Sequence, residues 1–354
     1  MKLASHMHRA LLNWYAKHAR VLPWRKNVDP YRIWISEIML QQTRVETVLP
    51  YYERFLTHFP NVQALADANP DTLTSLWAGL GYYSRARNLQ TAAKDIVARF
   101  GGTMPSTKEE LQSLKGIGDY TAAAIASIAF GQNEIALDGN LERVLSRVLA
   151  FTGDPKSKEG RTVLRGFGEK LVALGNASAV NQGLMDLSSQ VCGIKNPKCG
   201  ECPLVDFCEG RKQNLLAQIP FKKAKTAAIE LNSHGLLLLC EPERGEKSLL
   251  LARRKTGDWL AGLWDLPWWL SDEAPAPKKT VKFGEHKSIR TITKHKIQYN
   301  VHFHRSSTEL QRAELENFLP DCAAEFRWQP LTKLDQVNLP KPSEKALAQA
   351  LKGI

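Results

Sequence analysis

A short stretch with two glycines constrains the fold more than any other part of this sequence. Residues 111–148 read LQSLKGIGDYTAAAIASIAFGQNEIALDGNLERVLSRV, and Gly116 and Gly118 flank a single apolar residue. Glycine tolerates a positive φ and the close approach of another backbone, so the pair predicts a tight turn between helices. The uncharged run 121–130 then predicts a helix buried except at its start. The free N–H groups of such a start bind phosphate, although an ordinary helical hairpin has the same pattern.

A single acid, Asp138, interrupts the apolar run before the next predicted helix. That helix is marked at helical spacing by Leu141, Val144, Leu145, Val148 and Leu149. Aspartate directly before a helix is usually its N-cap, and on these residues alone capping is the favoured interpretation. A functional carboxylate is the alternative.

A second candidate carboxylate, Glu37, lies within an apolar segment. Asp29 and Pro30 predict the start of a helix there, because proline fits the first helical turn. The neighbours of Glu37 on this helix are Trp34, Ile38 and Leu40. Burial among them would raise the pKa of Glu37 toward the range of a general acid, whereas most helical glutamates lie on a solvated face.

Four of the six cysteines lie close together in the sequence, as Cys192, Cys199, Cys202 and Cys208. In a chain without a signal peptide this spacing predicts a metal centre and not disulfides. Four thiolates suit zinc or an iron–sulfur cluster equally well in principle.

Length and charge limit the remaining possibilities. The chain has 354 residues, enough for two domains, and 43% of them are hydrophobic. No apolar run approaches the ~18 residues that cross a bilayer, so we expect a cytoplasmic protein. The first 225 residues carry 29 Lys and Arg against 20 Asp and Glu, and the remainder carries 19 against 16. The first part is therefore the candidate polyanion-binding part, with a solvated basic surface as the alternative.

The segments LKGIGDYTAAAIASIAFG and ALDGNLERVL together resemble the hairpin and catalytic aspartate of the helix-hairpin-helix DNA glycosylase superfamily, especially its MutY-type adenine DNA glycosylases. The cysteine spacing is similar to the single 4Fe-4S loop of endonuclease III and MutY glycosylases, which favours a 4Fe-4S cluster. The resemblance implies a multidomain chain. An all-α glycosylase domain would span 1–210, including the cluster loop 192–208, a linker would span 211–228, and an α+β Nudix-like recognition domain would span 229–354.

The resemblance also assigns roles to residues. Its catalytic set is Glu37, Asp138, Tyr120 and Asn140, with Glu37 as the protonated acid, Asp138 ionised, and the other two orienting them. Its substrate-binding set in the first domain is Trp24, Arg25, Gln42, Tyr82, Gln182, Gly116 and Gly118. Trp24 and Arg25 would line an adenine pocket, and Gln42 would face the minor groove. A packing tryptophan at a proline-ended helix is the alternative for Trp24.

Residues 76–86 repeat the pattern of 113–123, with glycine, aliphatic residue, glycine and tyrosine in register. The repeat predicts two similar hairpins that face DNA. Tyr82 would lie at the tip of the first hairpin and wedge into the base stack while a nucleotide turns out, unless it is an ordinary surface aromatic. Arg85 and Arg87 are candidates for phosphate contacts.

The function that the resemblance implies is base excision repair. The enzyme would flip adenine out of double-stranded DNA, where it stands opposite 8-oxoguanine or guanine, and hydrolyse its N-glycosidic bond. Tyr120 replaces the lysine of bifunctional glycosylases, so we expect no strong lyase activity. The alternatives are a bifunctional endonuclease III-type pyrimidine glycosylase/lyase and a non-catalytic iron–sulfur DNA-binding protein. We expect a monomer, associated with the nucleoid and not with a membrane.

The C-terminal part departs from the family pattern at one point. Residues 259–267 resemble the Nudix-like domain of MutY proteins, but no REx2ExE acidic helix is present, so we expect binding without hydrolysis. The family tip Phe-Ser-His, which reads 8-oxoguanine, aligns with Thr293, Lys294 and His295. Because only the histidine matches, we expect a smaller preference for 8-oxoguanine over guanine. Ser343 is predicted to cap a last helix, 344–351.

Overall fold

The structure is a computed structural model that describes residues 2–221, 227–255, 259–274, 277–316, 319, 323–337 and 339–352. The chain forms two compact units. One comprises Met1–Pro70 and Arg85–Ala224, and the other comprises Asp71–Ser84 and Lys225–Ile354. This division differs from the predicted domain bounds, because segment 71–84 is grouped with the C-terminal unit. Of the predicted linker, 222–226 lie outside the described residues.

The described part of the chain has fourteen α-helices, most of them in the first unit. In chain order the described helices are α1 (Lys2–His18), α2 (Pro30–Leu40), α3 (Val45–His58), α4 (Val62–Ala66), α5 (Pro70–Trp77), α6 (Ser84–Phe100), α7 (Lys108–Gln112), α8 (Asp119–Phe130), α9 (Gly139–Val148), α10 (Lys158–Val172), α11 (Ala177–Gln190), α12 (Glu209–Lys212), α13 (Arg312–Glu316) and α14 (Lys341–Leu351).

The predicted helix starts in the first unit are confirmed. Asp29 caps α2 by accepting hydrogen bonds from the backbone N–H groups of Tyr31 and Arg32, and Pro30 occupies the first helical position. Helix α8 is buried from Thr121 to Ser127. It ends at Gly131, whose φ of 69° lies in the left-handed region that glycine adopts at helix ends.

One hydrophobic cluster of the first unit lies between four helices. Helix α9 buries Leu141, Val144, Leu145 and Val148, which confirms the predicted helical spacing. These side chains pack in one cluster with apolar residues of α1, α10 and α11. Complete burial of one leucine side chain stabilises a fold by about 1.5–3 kcal/mol, so this cluster holds α9 firmly. The residue that begins α9, Asp138, is thereby fixed as well.

The two glycine-containing turns resemble each other only in part. Gly116 and its counterpart Gly79 have φ of 83° and 99°, which only glycine adopts without strain. The second glycines differ, because Gly81 has a φ of 69° whereas Gly118 has an ordinary φ of −89°. A Cβ on Gly116 would also lie 2.7 Å from the Cβ of Asn88. The repeat in the sequence therefore specifies one shared glycine conformation and not two identical hairpins.

The second unit is built around a mixed sheet. Its strands are β1 (Ile229–Cys240), β2 (Ser248–Arg254), β3 (Trp264–Asp265), β4 (Trp268–Leu270), β5 (Val281–Ile292), β6 (His295–Ser306) and β7 (Ala323–Pro330). The sheet order is β3-β2-β1-β6-β5, with β4 paired to β1 and β7 to β2. The pairing of β1 with β6 is parallel, and the other pairs are antiparallel. The predicted α+β class and the hairpin within 289–304 are confirmed.

Alternate residues of β1 supply the two faces of this sheet. Leu237 and Leu239 pack in a cluster that includes Ala346 and Leu347 of α14. Leu236 and Leu238 pack on the other face with Leu315 of α13 and further leucines. This alternation follows from the two-residue period of a strand. Both faces of the sheet are thus covered, which explains the long apolar runs in the sequence.

The predicted cap of the last helix is wrong. Helix α14 begins at Lys341, after Pro340, so Ser343 lies inside its first turn. The Ser343 hydroxyl instead donates to the buried carboxylate of Asp265 and accepts from Arg290 at 3.0 Å. Proline also favours the start of a helix, and this preference places the start of α14 before Ser343. Within the described part of the chain, no helix is long and apolar enough to cross a membrane.

Candidate functional site

The main cavity of the first unit has a volume of about 790 Å³. Segment 20–25, helices α2, α8 and α11, the loop after α2 and the start of α9 all contribute to its wall. Among its lining residues are the predicted Trp24, Arg25, Glu37, Gln42, Tyr120, Asp138, Asn140 and Gln182. The fold therefore brings together eight residues that are widely separated in the sequence. A cavity of this size is typical of a small-molecule or base-binding site.

Glu37 lies in the wall of this cavity with only 6% of its surface exposed. The phenol of Tyr120 donates a hydrogen bond to its Oε2 at 2.8 Å. Burial raises the pKa of Glu37 to about 7 and the negative charge of Asp138 adds to this, whereas the Tyr120 hydrogen bond and the charge of Arg25 oppose it. Glu37 is thus an acid that holds its proton near neutral pH.

Asp138 is both a helix cap and a cavity residue. Its Oδ1 accepts hydrogen bonds from the backbone N–H groups of Asn140 and Leu141 at 3.0 and 2.9 Å, and its Oδ2 accepts one from Asn140 Nδ2 at 2.7 Å. Burial raises the pKa of Asp138, while these three hydrogen bonds lower it. The capping interpretation is therefore confirmed, and because the cap fixes the carboxylate where it lines the cavity, a functional role stays a prediction.

Arg143 connects this carboxylate to the cysteine loop. Its guanidinium donates to Asn140 Oδ1 at 3.4 Å, to Ser188 O at 2.9 Å and to Cys192 O at 2.9 Å. Only 6% of Arg143 is exposed. The orientation of Asn140 therefore depends on the backbone at the first cysteine.

Trp24 and Arg25 reach the cavity from a three-residue 3-10 turn, Pro23–Arg25. Trp24 is buried and packs edge-on against Tyr52 with ring centroids 5.2 Å apart. Arg25 donates to the carboxylate of Asp186 at 2.6 and 3.1 Å. Asp186 is fully buried and was missed by the sequence reasoning. A signal was present, because Asp186 is the one charged residue of α11.

Two glutamines lie at the cavity in different ways. Gln42 follows the end of α2 and has a φ of 58°, a left-handed conformation that costs energy for a residue other than glycine. Gln182 lies on α11, where its Nε2 donates to the Ser178 hydroxyl at 3.0 Å. Both side chains present amide groups that donate and accept hydrogen bonds.

The predicted phosphate contact of Arg85 is wrong in this structure. Arg85 is buried, and its guanidinium donates to the carbonyl oxygens of Ile38, Met39 and Gln41 at 2.8 to 3.0 Å. These carbonyls end α2, where the helix dipole favours a cation. Arg85 therefore holds the helix that carries Glu37. Arg87, two residues later, is exposed.

The hairpin residues lie at two turns. Gly118 begins α8, and a Cβ at this position would meet open space. The absence of a side chain at Gly118 leaves space beside the N-terminus of α8. Tyr82 lies in the turn between α5 and α6, with a φ of 48° and half of its surface exposed.

All four predicted cysteines line one small cavity, together with Arg147. Arg147 is buried and donates to the backbone carbonyls of Gly193 and Ile194 and to Cys192 Sγ at 3.3 Å. In the described chain, no three His, Cys, Asp or Glu side chains surround a single metal ion. An iron–sulfur cluster does not require this, since each thiolate binds its own iron. The all-sulfur donor set around one cavity therefore fits a 4Fe-4S cluster.

The predicted tip of the C-terminal hairpin is shorter than expected. Thr293 and Lys294 form a two-residue turn, and Thr293 has a φ of 52°. His295 belongs to β6, and its ring lies 4.7 Å from that of Trp259. The three aligned residues thus divide into two exposed turn residues and one half-buried strand residue.

Comparison with known families assigns each part of the chain. The sequence model of HhH-GPD superfamily base excision DNA repair proteins matches residues 35–169. The model of the iron-sulfur binding domain of endonuclease III matches residues 195–208, and that of the NUDIX domain matches 239–349. The cysteine loop is therefore a 4Fe-4S cluster loop, although the matched range begins after Cys192.

Known proteins resemble the chain over much of its length. The adenine DNA glycosylase of Schizosaccharomyces pombe is 30% identical over 331 residues, covering 78% of this chain and 69% of that protein. The human adenine DNA glycosylase is 39% identical over 267 residues, 73% of this chain, but the chain spans only 48% of the human protein. A solved structure of a thermostable thymine-DNA glycosylase superposes with a TM-score of 0.56 at 27% identity, covering 60% of this chain and 98% of that chain. The chain therefore belongs to the adenine DNA glycosylase family of the HhH-GPD superfamily.

Proposed function

We propose that this protein is an adenine DNA glycosylase that hydrolyses the N-glycosidic bond of adenine opposite 8-oxoguanine or guanine in double-stranded DNA. One observation carries the proposal. Two carboxyl groups, buried Glu37 and half-buried Asp138, line one cavity, and burial raises the pKa of Glu37 to about 7. Cleaving this bond requires a proton for the departing base and a negative charge for the sugar, and two carboxyl groups in different protonation states supply both.

Glu37 is the proposed general acid. It donates its proton to the ring nitrogen at position 7 of adenine, so that the base departs with the electron pair of the broken bond. Tyr120 fixes the carboxyl group through its hydrogen bond to Oε2. A positioned acid with a pKa near the working pH typically contributes about 10²–10⁴-fold in rate.

Asp138 is the proposed anion that stabilises the positive charge developing on the sugar. Three hydrogen bonds from Asn140 and Leu141 fix its two oxygens, so little reorganisation is needed during the reaction. Water then adds to the sugar carbon and leaves an abasic site. The family resemblance assigns Asn140 to this orienting role, and its contact with Asp138 supports the assignment.

The proposed enzyme is monofunctional. A lyase needs an amine that condenses with the sugar, and the cavity carries Tyr120 at the position of the family lysine. The position four residues after Asp138 is Glu142, which offers no amine either. This chemistry disfavours the endonuclease III-type alternative. The two coupled carboxyl groups disfavour a purely DNA-binding protein, which does not need them.

DNA contacts are assigned by position. Trp24, Arg25, Gln42 and Gln182 line the cavity that receives the flipped adenine, and the start of α8 after Gly118 offers backbone N–H groups to a phosphate. Exposed Tyr82 is the proposed wedge that occupies the vacated space. Thr293 and Lys294 are the proposed contacts to the opposite base. We expect the protein to act as a monomer on nucleoid DNA.

The four cysteines hold the cluster in this proposal. When bound, the cluster supplies iron–thiolate bonds that cross-link the loop, and excision itself needs no electron transfer. The contribution of this chain is the pair of buried arginines beside the loop. Arg147 binds the loop backbone, and Arg143 joins it to Asn140.

An excision assay on three duplexes tests the proposed function. Adenine is placed opposite 8-oxoguanine, guanine or thymine, and released base is measured under single-turnover conditions. We expect release from the first two duplexes and none from the third, with strand breakage only after alkali. No release from any of the three, by protein that holds its cluster, would reject the proposal.

A further inference from the structure

One fully buried charge of the first unit has no part in the proposed chemistry. Asp186 is fully buried, and its carboxylate accepts four hydrogen bonds. Arg20 donates from its backbone N at 3.0 Å and from Nε at 2.7 Å, and Arg25 donates from Nη1 at 2.6 Å and Nη2 at 3.1 Å. The Arg25 contact is bidentate, the geometry that fixes a guanidinium most firmly.

These contacts join two parts of the cavity wall. Asp186 lies on α11, which also supplies Gln182 and Ser189 to the cavity. Arg20 and Arg25 lie on a segment whose one regular element is the three-residue turn Pro23–Arg25. A segment with so little regular structure needs side-chain contacts to hold its conformation. The carboxylate of Asp186 supplies them at both ends of the turn.

The position of the Arg25 charge affects the pKa of Glu37. Arg25 lines the same cavity and its charge lowers the pKa of Glu37, opposing burial. Glu37 itself forms no ion pair within 4.0 Å among the described residues, and the guanidinium of Arg25 is engaged by Asp186. If Arg25 were released, Glu37 would be an available carboxylate on the wall of the same cavity. An Arg25–Glu37 ion pair would remove the proton that the proposed reaction needs.

We propose that Asp186 is a positioning residue for base excision, which holds Arg25 away from Glu37 and so keeps Glu37 in its protonated form. The inference rests on the proposed role of Glu37 as the acid. It assigns to Asp186 a control over protonation that a merely structural ion pair would not have.

Other charged or titratable groups around Glu37 could also change its pKa. Tyr120 from α8 donates to Glu37, and Asp138 at the start of α9 raises its pKa. From α3 and the residue before it, Glu46 and Arg44 line the cavity. All of these remain in place when Asp186 is replaced, so a changed titration of Glu37 reports on Arg20 and Arg25, the two cations that Asp186 holds.

The test is Asp186→Asn in the full-length, cluster-containing protein, with the carbon-13 carboxyl signal of Glu37 followed through a pH titration. Glu37→Gln identifies the signal. We expect the midpoint to fall by on the order of one pH unit, because a cation approaches the carboxylate. The high-pH limb of single-turnover adenine release should fall with it. Asp186→Ser carries the same prediction if Asn disturbs folding, which the ratio of cluster to protein absorbance reports.

Three control variants test whether the shift in the Glu37 midpoint is caused by a cation released from Asp186. Asp186→Glu retains the charge and should restore the wild-type midpoint. Asp119→Asn removes a carboxylate that also pairs with two cations, Lys108 and Arg165, and should leave the midpoint of Glu37 unchanged. In an Arg20→Met, Arg25→Met background, Asp186→Asn should no longer shift the midpoint, because neither cation that Asp186 holds is left to move.

The outcomes separate this inference from the proposed function. An unchanged midpoint in Asp186→Asn, with a loss of rate that is equal at every pH, overturns the positioning role while the glycosylase assignment stands. A shift that persists in the Arg20→Met, Arg25→Met background overturns it as well. A wild-type protein that releases no adenine rejects the glycosylase assignment and with it the role in excision, and the predicted shift would then show only that Asp186 controls the protonation of Glu37.

Discussion

The cavity of the helical unit and the hairpin turn of the sheet unit hold their polar groups in opposite ways. In the cavity, Glu37 is buried, Asp138 is half-buried, and each receives fixed hydrogen bonds. At the hairpin turn, Thr293 and Lys294 are exposed, and the firm contact is the backbone hydrogen bond from Ile229 N to Lys294 O at 3.0 Å. Burial changes the acidity of a side chain, whereas exposure leaves its charge screened by water.

This difference teaches which kind of function each region supports. Desolvated carboxyl groups with perturbed pKa values are suited to chemistry, and in the proposed function they act on any adenine that enters the cavity. Exposed turn residues are suited to recognition, and in the proposed function they contact the opposite base. Substitutions in the cavity should therefore lower excision for every mispair, and substitutions at the turn should change the ratio between mispairs.

The largest effect is expected for the two carboxyl groups. Glu37→Gln removes the proton donor and Asp138→Asn removes the anion, and each should lower adenine release by ~10³-fold or more on both 8-oxoguanine and guanine duplexes. Duplex affinity should change little, because neither residue is a phosphate contact. Single-turnover release and equilibrium binding measure the two quantities.

Two substitutions outside the cavity serve as controls, because each also replaces a negatively charged carboxylate by a neutral amide. Glu134 pairs with Lys108, and Asp95 lies 3.8 Å from Arg99, both away from the two carboxyl groups. Glu134→Gln and Asp95→Asn should retain wild-type release. Substantial turnover by either cavity variant would remove that carboxyl group from the mechanism.

The next effect concerns a covalent complex. Tyr120→Lys introduces an amine that condenses with the sugar aldehyde and loses water, and borohydride then reduces the imine to a stable link. We expect efficient trapping on abasic-site DNA by this variant and little by the wild type. Tyr120→Phe, which has no amine, should remain untrapped. Ready trapping of the wild-type protein would contradict the monofunctional assignment.

A smaller effect is expected at the hairpin turn. Replacing Thr293 and Lys294 by Phe and Ser restores the family residues and should widen the preference for 8-oxoguanine over guanine by about 10- to 100-fold, the value of one good base contact. Lys287→Ala is the control, since it removes an exposed lysine from β5 away from the turn. If the wild type already discriminates strongly and Lys294→Ala has no effect, the opposite base is recognised elsewhere.

The smallest effect concerns stability. The folded protein raises the pKa of Glu37 from 4.5 to about 7, so folding favours its protonated form. The contribution of Glu37 to stability is therefore fully present below about pH 4.5 and is lost as the pH rises toward 7. Gln cannot ionise, so Glu37→Gln should raise the melting temperature by several degrees at pH 8 and by less at pH 5. An equal increment at both pH values would mean that Glu37 is not held in a protonated state.

Local patterns made some of these features predictable. Asp29, Pro30 and the helical spacing of α9 gave correct helix starts, because capping and periodicity depend on near neighbours. The pairing of Arg25 with Asp186 and the contact of Arg85 with the end of α2 were not predicted. Their partners are 161 and about 45 residues apart in sequence, and no short pattern encodes such contacts. The grouping of 71–84 with the second unit has the same cause.

The pH dependence of single-turnover adenine release tests the central claim most directly. Release of adenine opposite 8-oxoguanine is measured from pH 5 to pH 9 with saturating enzyme. The account predicts that the rate constant falls as pH rises through about 7, tenfold for each further unit, because Glu37 loses the proton that the base requires. A rate constant that stays level or rises up to pH 9 would contradict the assignment of Glu37 as the acid.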